Sequence, residues 1–241
     1  MPETGTIRIL EVGCGSGQAT RLFATLGQPI YATDLSPALV AVARQRLAAF
    51  PNVQFGVGGF EQMTLPARAY DLLVSAQAFH WVDLAVGLPK AHRVLATGGT
   101  LALFWNFTHY DADPLLGRIR DVCLRHVPGL VGWPDASEAR FEGFTDGWLA
   151  ALRDAGTFTG ITSTVILSTL DYSHDRFQQL LTTYSWVQSQ PPAVQAALLH
   201  DIAVVLREAP DPLSLPTRTL LVLATNAADS CAASENMQYC S

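Results

Sequence analysis

Five residues between positions 11 and 34 are spaced to hold one ligand. Glu11, Gly13, Gly15 and Gly17 alternate with other residues in Glu11-Val-Gly-Cys-Gly-Ser-Gly17, and Asp34 follows 17 residues after the last glycine. Glycines in series clear side chains from a turn, so a ligand can press against the backbone. An acid at the end of the next strand can accept two hydrogen bonds from a ribose diol. Glu11 places a carboxylate at the tip of the first strand, where a pyrophosphate would be repelled and an ammonium group held. The set therefore fits a nucleoside carrying a zwitterionic amino acid, with its amine at the Glu11 turn, its carboxylate near the following helix N-terminus and its ribose on Asp34. The spacing is GxGxG, which departs from the dinucleotide fingerprint, and the lysine of a P-loop is absent. Cys14 occupies the position where a hydrolase elbow needs glycine. With no base placed beside it, Cys14 reads as a small space-filler whose backbone alone approaches the ligand.

The elements that must position these residues alternate between strand and helix. Residues 7–12 form an apolar strand, and a helix follows from about Gly17 to Leu26, stopped by Gly27. A second strand covers 30–33. Ser36-Pro37 opens a helix with a cap and a first-turn proline, and Leu39, Ala43, Leu47 and Phe50 line one of its faces. Strands are expected at 53–57, 71–76 and 100–105, with a helix over 84–95. Strands apolar on both faces and separated by helices imply a parallel sheet covered on both sides. Beyond Asp111 the pattern predicts helices at 114–126 and 148–154 and a loop-like stretch over 128–147. A strand near 161–170, two amphipathic helices around 180–187 and 194–205, and a last strand at 220–225 follow.

The chain has 241 residues with 15 basic and 21 acidic side chains, for a net charge of −6, and no basic stripe that would suit nucleic acid. No apolar run approaches the ~18 residues of a membrane span, and no signal peptide pattern opens the chain. The four cysteines (Cys14, Cys123, Cys231, Cys240) do not form a zinc or disulfide framework. A cytoplasmic location, with no membrane and no nucleic-acid partner, is the expectation.

The block Leu10-Glu-Val-Gly-Cys-Gly-Ser-Gly-Gln-Ala-Thr20 followed by Asp34 resembles the class I S-adenosylmethionine-dependent methyltransferases. Ser75-Ala-Gln-Ala-Phe-His-Trp-Val-Asp83 and Arg93-Val-Leu-Ala-Thr-Gly-Gly-Thr-Leu-Ala-Leu-Phe-Trp-Asn106 are similar to a small-molecule branch that includes trans-aconitate methyltransferase-like proteins. Thr183-Tyr-Ser-Trp-Val-Gln188 and Leu215-Pro-Thr-Arg-Thr219 are similar to that branch's C-terminal cap, so the likeness runs over about residues 7–225.

The resemblance implies an α/β, Rossmann-like fold whose seven-stranded, mostly parallel sheet has its last strand antiparallel, with a helical elaboration over the substrate side. It divides the chain into a cofactor-binding core (1–110), a C-terminal part of the same domain with the cap and final strands (111–226), and a tail (227–241). It also implies S-adenosyl-L-methionine as cofactor and S-adenosyl-L-homocysteine as product. Carried over by position, Glu11, Gly13, Cys14, Gly15 and Gly17 shape the methionine pocket, Asp34 binds the ribose and Leu35 packs under the adenosine. Gly59, Phe60 and Glu61 flank the adenine, Ala76 and Gln77 line the cofactor, and His80 and Trp81 face the transferred methyl group. Members of the branch usually carry a helical segment before the first strand; six residues precede it here, so a more open pocket is expected.

Other residues remain open between structural and functional roles. His80 is either a hydrogen-bonded loop residue or the group that orients or deprotonates the acceptor. Asp83 is either the cap of the next helix or the orienter of His80. Trp105 and Asn106 reach the ligand edge after the fifth strand, and Trp133, Tyr184 and Trp186 lie in the elaboration, together outlining an aromatic pocket for a small acceptor. His109, Asp111 and Asp113 read as a solvated loop rather than a metal site. Arg68, Arg93 and Arg118 are too scattered to clamp a tricarboxylate. O-methylation of a carboxylate or hydroxyl is the favoured activity. The alternative is a cofactor-binding protein of the same fold that does not methylate.

Overall fold

A computed structural model describes residues 5–108, 114–130 and 138–228. Seven strands, β1 (Ile9–Val12), β2 (Ile30–Asp34), β3 (Val53–Val57), β4 (Tyr70–Ala76), β5 (Leu95–Thr108), β6 (Phe158–Tyr172) and β7 (Leu213–Asn226), form one sheet in the order β3-β2-β1-β4-β5-β7-β6. The pairs β1–β2, β1–β4, β2–β3 and β4–β5 are parallel, and β7 runs antiparallel. All four residues of β1 are buried, as a central strand covered on both faces requires.

Contacts divide the described chain into two compact units. The first holds residues 5–105, 146–164 and 221–228, and the second 106–108, 114–130, 138–145 and 165–220.

In the first unit the helices are α1 (Gln18–Ala24), α2 (Pro37–Arg46) and α3 (Leu84–Val94). The Ser36 side chain caps α2 by accepting the Leu39 amide, and Asp83 caps α3 by accepting the Ala85 amide. Ile9, Cys14, Ala24, Ile30, Ala32, Val40, Val74 and Ala102 pack into one core cluster.

In the second unit α4 (Pro114–His126) turns Leu116, Ile119, Val122 and Cys123 into a core shared with α6 (His174–Thr182), α7 (Ser185–Gln188) and α8 (Pro192–Leu206). Their spacing of three and four is that of one helix face. His126 Nε2 lies 2.8 Å from Asp201 Oδ2, joining α4 to α8 beside that core.

Some boundaries differ from the expected ones. Helix α5 (Glu138–Asp154) occupies the second half of the stretch expected to be a loop. Gly143 and Gly147 weaken a helix by about 1 kcal/mol each against alanine. Phe141 and Phe144 offset this against Phe107, as does Trp148 against Phe79 and Trp105. Strands β5, β6 and β7 are also longer than expected, at 14, 15 and 14 residues. The tail beyond residue 228 lies outside the described residues. Among the described residues no helix is long and apolar enough to cross a membrane.

Candidate functional site at the carboxyl edge of the sheet

The chain winds from β1 outward to β3, then returns to place β4 on the other side of β1. Such a reversal opens a crevice beyond the carboxyl ends of the two central strands. The loops after β1, β2 and β4 all lie at this edge of the first unit.

The Gly13 and Cys14 amides donate to the Thr33 carbonyl at 2.8 and 2.9 Å, folding the loop onto the end of β2. Gly13 has φ +77°, and a Cβ there would stand 2.1 Å from the Ala78 Cβ, so this glycine lets the loops after β1 and β4 close on one another. Gly15 also has positive φ (+54°), yet nothing lies within 4 Å of its would-be Cβ. One glycine is required for packing; the other borders open space.

Asp34 closes the loop from the side. Its Oδ2 accepts the Gly15 amide and its Oδ1 the Ser36 amide, both at 2.8 Å. A carboxylate has about four acceptor positions, so capacity remains for a diol. Leu35 beside it is 75% exposed.

Glu11 is 1% exposed, and neither carboxylate oxygen makes a hydrogen bond that meets normal geometry. Burial raises its pKa to about 7; the Thr20 hydroxyl and amide facing it lower it in part, and Asp34 adds a small repulsion. A buried acid with no hydrogen bond of normal geometry is costly and is suited to a cation that arrives with a ligand. Cys14 is buried, its thiol pushed up to about 12 by desolvation, so it is no nucleophile. The seven-residue α1 is shorter than expected, and no anion site is assigned to its end.

After β3, Lys90 of α3 donates to the carbonyls of Glu61 and Met63 and lies 5.4 Å from the Phe60 ring centroid. Desolvation lowers its pKa. Phe60 departs from the expectation of a residue flanking adenine. Its ring is buried against Phe79 at 5.9 Å, because its aromatic surface is taken up by the core. Glu61 Oε1 accepts the Asp83 amide at 3.1 Å. Gly59 accepts the amides of Gln62 and Met63, making the turn that carries both residues.

After β4, Ala76 is half-buried, and Gln77 adopts φ +57°, a left-handed conformation rare for a residue with a side chain. Its amide donates to the Phe104 carbonyl at 2.9 Å. His80 is exposed, and its Nδ1 accepts the Trp105 indole N–H at 3.1 Å. Packing around the ring lowers its pKa. Trp81 is 76% exposed, its ring centroid 5.0 Å from that of His80.

Asp83 takes the first of its two readings and caps α3, and it is Trp105 that bonds His80. Trp105 is only 2% exposed and packs on Trp148 at 4.8 Å, so it reaches an acceptor only through His80. Asn106, Tyr184 and Trp186 belong to the second unit. There the Asn106 side chain accepts the Thr219 hydroxyl at 2.8 Å, and the Tyr184 and Trp186 rings stack 6.3 Å apart, partly buried against that unit's core. Trp133, His109, Asp111 and Asp113 lie outside the described residues. Among those described, no three His, Cys, Asp or Glu residues gather as metal ligands. Sequence reasoning also missed Thr20 and Lys90. A lysine inside the apolar run from Leu84 to Val94 was the one available signal for the latter.

Residues 10–103 match the family model described as a methyltransferase domain. An uncharacterized methyltransferase of Mycobacterium tuberculosis is 36% identical over 115 residues, 48% of this chain and 44% of that protein. The malonyl-[acyl-carrier protein] O-methyltransferase of Serratia marcescens is 36% identical over 95 residues, 39% of this chain and 36% of that protein. The chain thus spans about half the length of the relatives it matches. Among solved structures, the YcgJ protein of Bacillus subtilis aligns over 93% of both chains with 18% identity and a TM-score of 0.57, a likeness of fold. Residues 10–103, which hold the glycine loop, the acid after β2 and the crevice beside β1, are thus similar to a methyltransferase domain, and the fold around them is that of the Rossmann-like methyltransferases.

Proposed function

We propose that the chain transfers a methyl group from S-adenosylmethionine to a small-molecule acceptor, with oxygen favoured over nitrogen or carbon. The observation that carries this reading is the buried Glu11 carboxylate, its oxygens without a hydrogen bond of normal geometry, beside a glycine loop with open space at Gly15. In it, Glu11 meets the ligand's ammonium group, the backbone of Gly13, Cys14, Gly15 and Gly17 bounds the methionine arm, and Asp34 accepts the ribose hydroxyls. Leu35 offers an exposed apolar surface to the base, Gly59 and Glu61 border it, and Ala76 and Gln77 line the other wall.

When bound, S-adenosylmethionine supplies a methyl group already activated on a sulfonium, which leaves its bonding electron pair on sulfur as the acceptor oxygen takes the carbon. The protein's remaining task is alignment and exclusion of water. His80 and Trp81, exposed at the end of β4, are placed to orient the acceptor. The name of the Serratia relative extends the acceptor class to a carboxylate on a carrier-linked acyl chain.

The test is product analysis by mass spectrometry with the full chain, S-adenosylmethionine and matched pools of carboxylic acids and alcohols. Formation of a methylated acid or alcohol together with S-adenosylhomocysteine is expected. Tight cofactor binding with no methylated product from any pool would favour a protein that holds the cofactor without methylating.

A further inference from the structure

The hydrogen bond between Trp105 and His80 fixes more than a ring position. An indole nitrogen carries one proton and has no lone pair to offer, so it can only donate. Its Nε1 stands 3.1 Å from His80 Nδ1. The histidine nitrogen must therefore be the acceptor, and in the neutral ring the proton sits on Nε2. Trp105 is held firmly in this role: it is 2% exposed, and its ring packs on Trp148 at 4.8 Å, which in turn meets Phe79 at 6.0 Å.

A second proton would have to bind Nδ1, where it would face the Trp105 N–H. The imidazolium is thus opposed by geometry in addition to desolvation, the only cause moving its pKa, which acts downward. Among the described residues no nearby acid counters this. The Asp83 carboxylate accepts the Ala85 amide, and the Glu61 carboxylate accepts the Asp83 amide. Among the described residues Nε2 makes no hydrogen bond, and His80 is an exposed residue.

We propose that Trp105 is a positioning residue that holds His80 as a neutral Nε2–H donor, and that the site accordingly takes an acceptor whose oxygen is already ionised, a carboxylate. The substrate class rests on the methyl-transfer reading above; the tautomer does not. A general base needs a free lone pair facing the acceptor, and here the lone pair faces Trp105. A hydroxyl or phenol would have to lose a proton that His80 cannot take. A carboxylate is ionised at neutral pH, needs no base, and can accept the Nε2 hydrogen bond through one oxygen while the other stays free to react.

Ring nitrogen NMR on the full chain labelled at histidine tests this, with His80→Gln used for assignment. Spectra are recorded from pH 5 to 8, with and without S-adenosylhomocysteine. The expected result is a neutral His80 protonated on Nε2 in both forms, charging only below the ordinary histidine range. In Trp105→Phe, which keeps the packing and removes the donor, the two tautomers should mix and the titration should move up. An Nδ1–H tautomer in the unaltered protein, or a titration untouched by Trp105→Phe, would overturn the positioning role. For the acceptor class, benzoate should shift the His80 Nε2 resonance of the loaded protein more than benzyl alcohol at equal concentration; equal, absent or reversed responses would overturn it. Calorimetry with S-adenosylhomocysteine on the same samples reports separately on the cofactor reading.

Discussion

The Gly15 amide donates to Asp34 Oδ2 at 2.8 Å, tying the open point of the glycine loop to the acid that follows β2. Asp34 thereby has a structural duty before any ligand arrives: it sets the distance between the two parts of the site. Substituting it removes a backbone anchor and a ligand contact together, so a loss of affinity in such a variant is meaningful only beside a measure of its stability.

The two glycines on either side of Cys14 should separate fold from function. Gly13→Ala puts a Cβ 2.1 Å from Ala78, backbone and methyl against methyl, and should cost about 1–3 kcal/mol of stability from overpacking. Gly15→Ala meets nothing within 4 Å, so only the strain of positive φ remains, about 1–2 kcal/mol. Its methyl would fill the space assigned to the ligand. Thermal unfolding and titration with S-adenosylhomocysteine on both variants check this. Gly15→Ala should stay folded and bind at least tenfold more weakly.

Glu11 should make stability and binding depend on pH. Its pKa is 4.5 ordinarily and about 7 in the fold, so the folded state holds a proton that the unfolded state releases. The ligand-free protein should therefore be most stable, as regards this group, below pH 4.5 and lose that contribution as pH rises through 7. At about 1.4 kcal/mol per unit the loss is on the order of 3 kcal/mol. Urea melts at several pH values should show the slope, and Glu11→Gln should abolish it. An incoming ammonium group favours the ionised acid, so binding at neutral pH should release a proton. That release is measured by calorimetry in two buffers of different ionisation enthalpy.

Asn226 at the end of β7 should act as a lock within the first unit. Its side-chain N–H groups donate to the carbonyls of His92, Leu95 and Ala96 at 3.1, 3.0 and 3.1 Å, and its Oδ1 lies 2.6 Å from His92 Nδ1. Asn226→Ala should cost about 1–3 kcal/mol by leaving buried carbonyls without donors. Asn226→Asp should cost more, since it sets a carboxylate against the same oxygens. Thermal denaturation of both variants checks the order.

Much of the site's frame was legible because short-range physics writes it. The glycine spacing, the Asp34 position and the bounds of β3 and α4 follow from local pattern. Partnerships were not legible. That Trp105 serves His80 depends on a crossing of 25 residues that no local pattern encodes. The same holds for Phe60, whose ring reads equally well as a ligand contact or as core until Phe79 and Lys90 are placed around it. Helix α5 was hidden because Gly143 and Gly147 signal a turn, while the aromatic contacts that outweigh them lie far along the chain.

The most direct test of the account is calorimetric titration of the full chain with S-adenosylmethionine and S-adenosylhomocysteine, with Asp34→Ala as control and its folding followed by circular dichroism. Loss of the ribose contacts should cost about 1.5–3 kcal/mol, or about ten- to a hundredfold in affinity. Micromolar binding, weakened to that extent in a folded Asp34→Ala, is the predicted result. Absence of binding to the intact chain, or binding unchanged by Asp34→Ala, would contradict the placement of the cofactor at the carboxyl edge of β1 and β2.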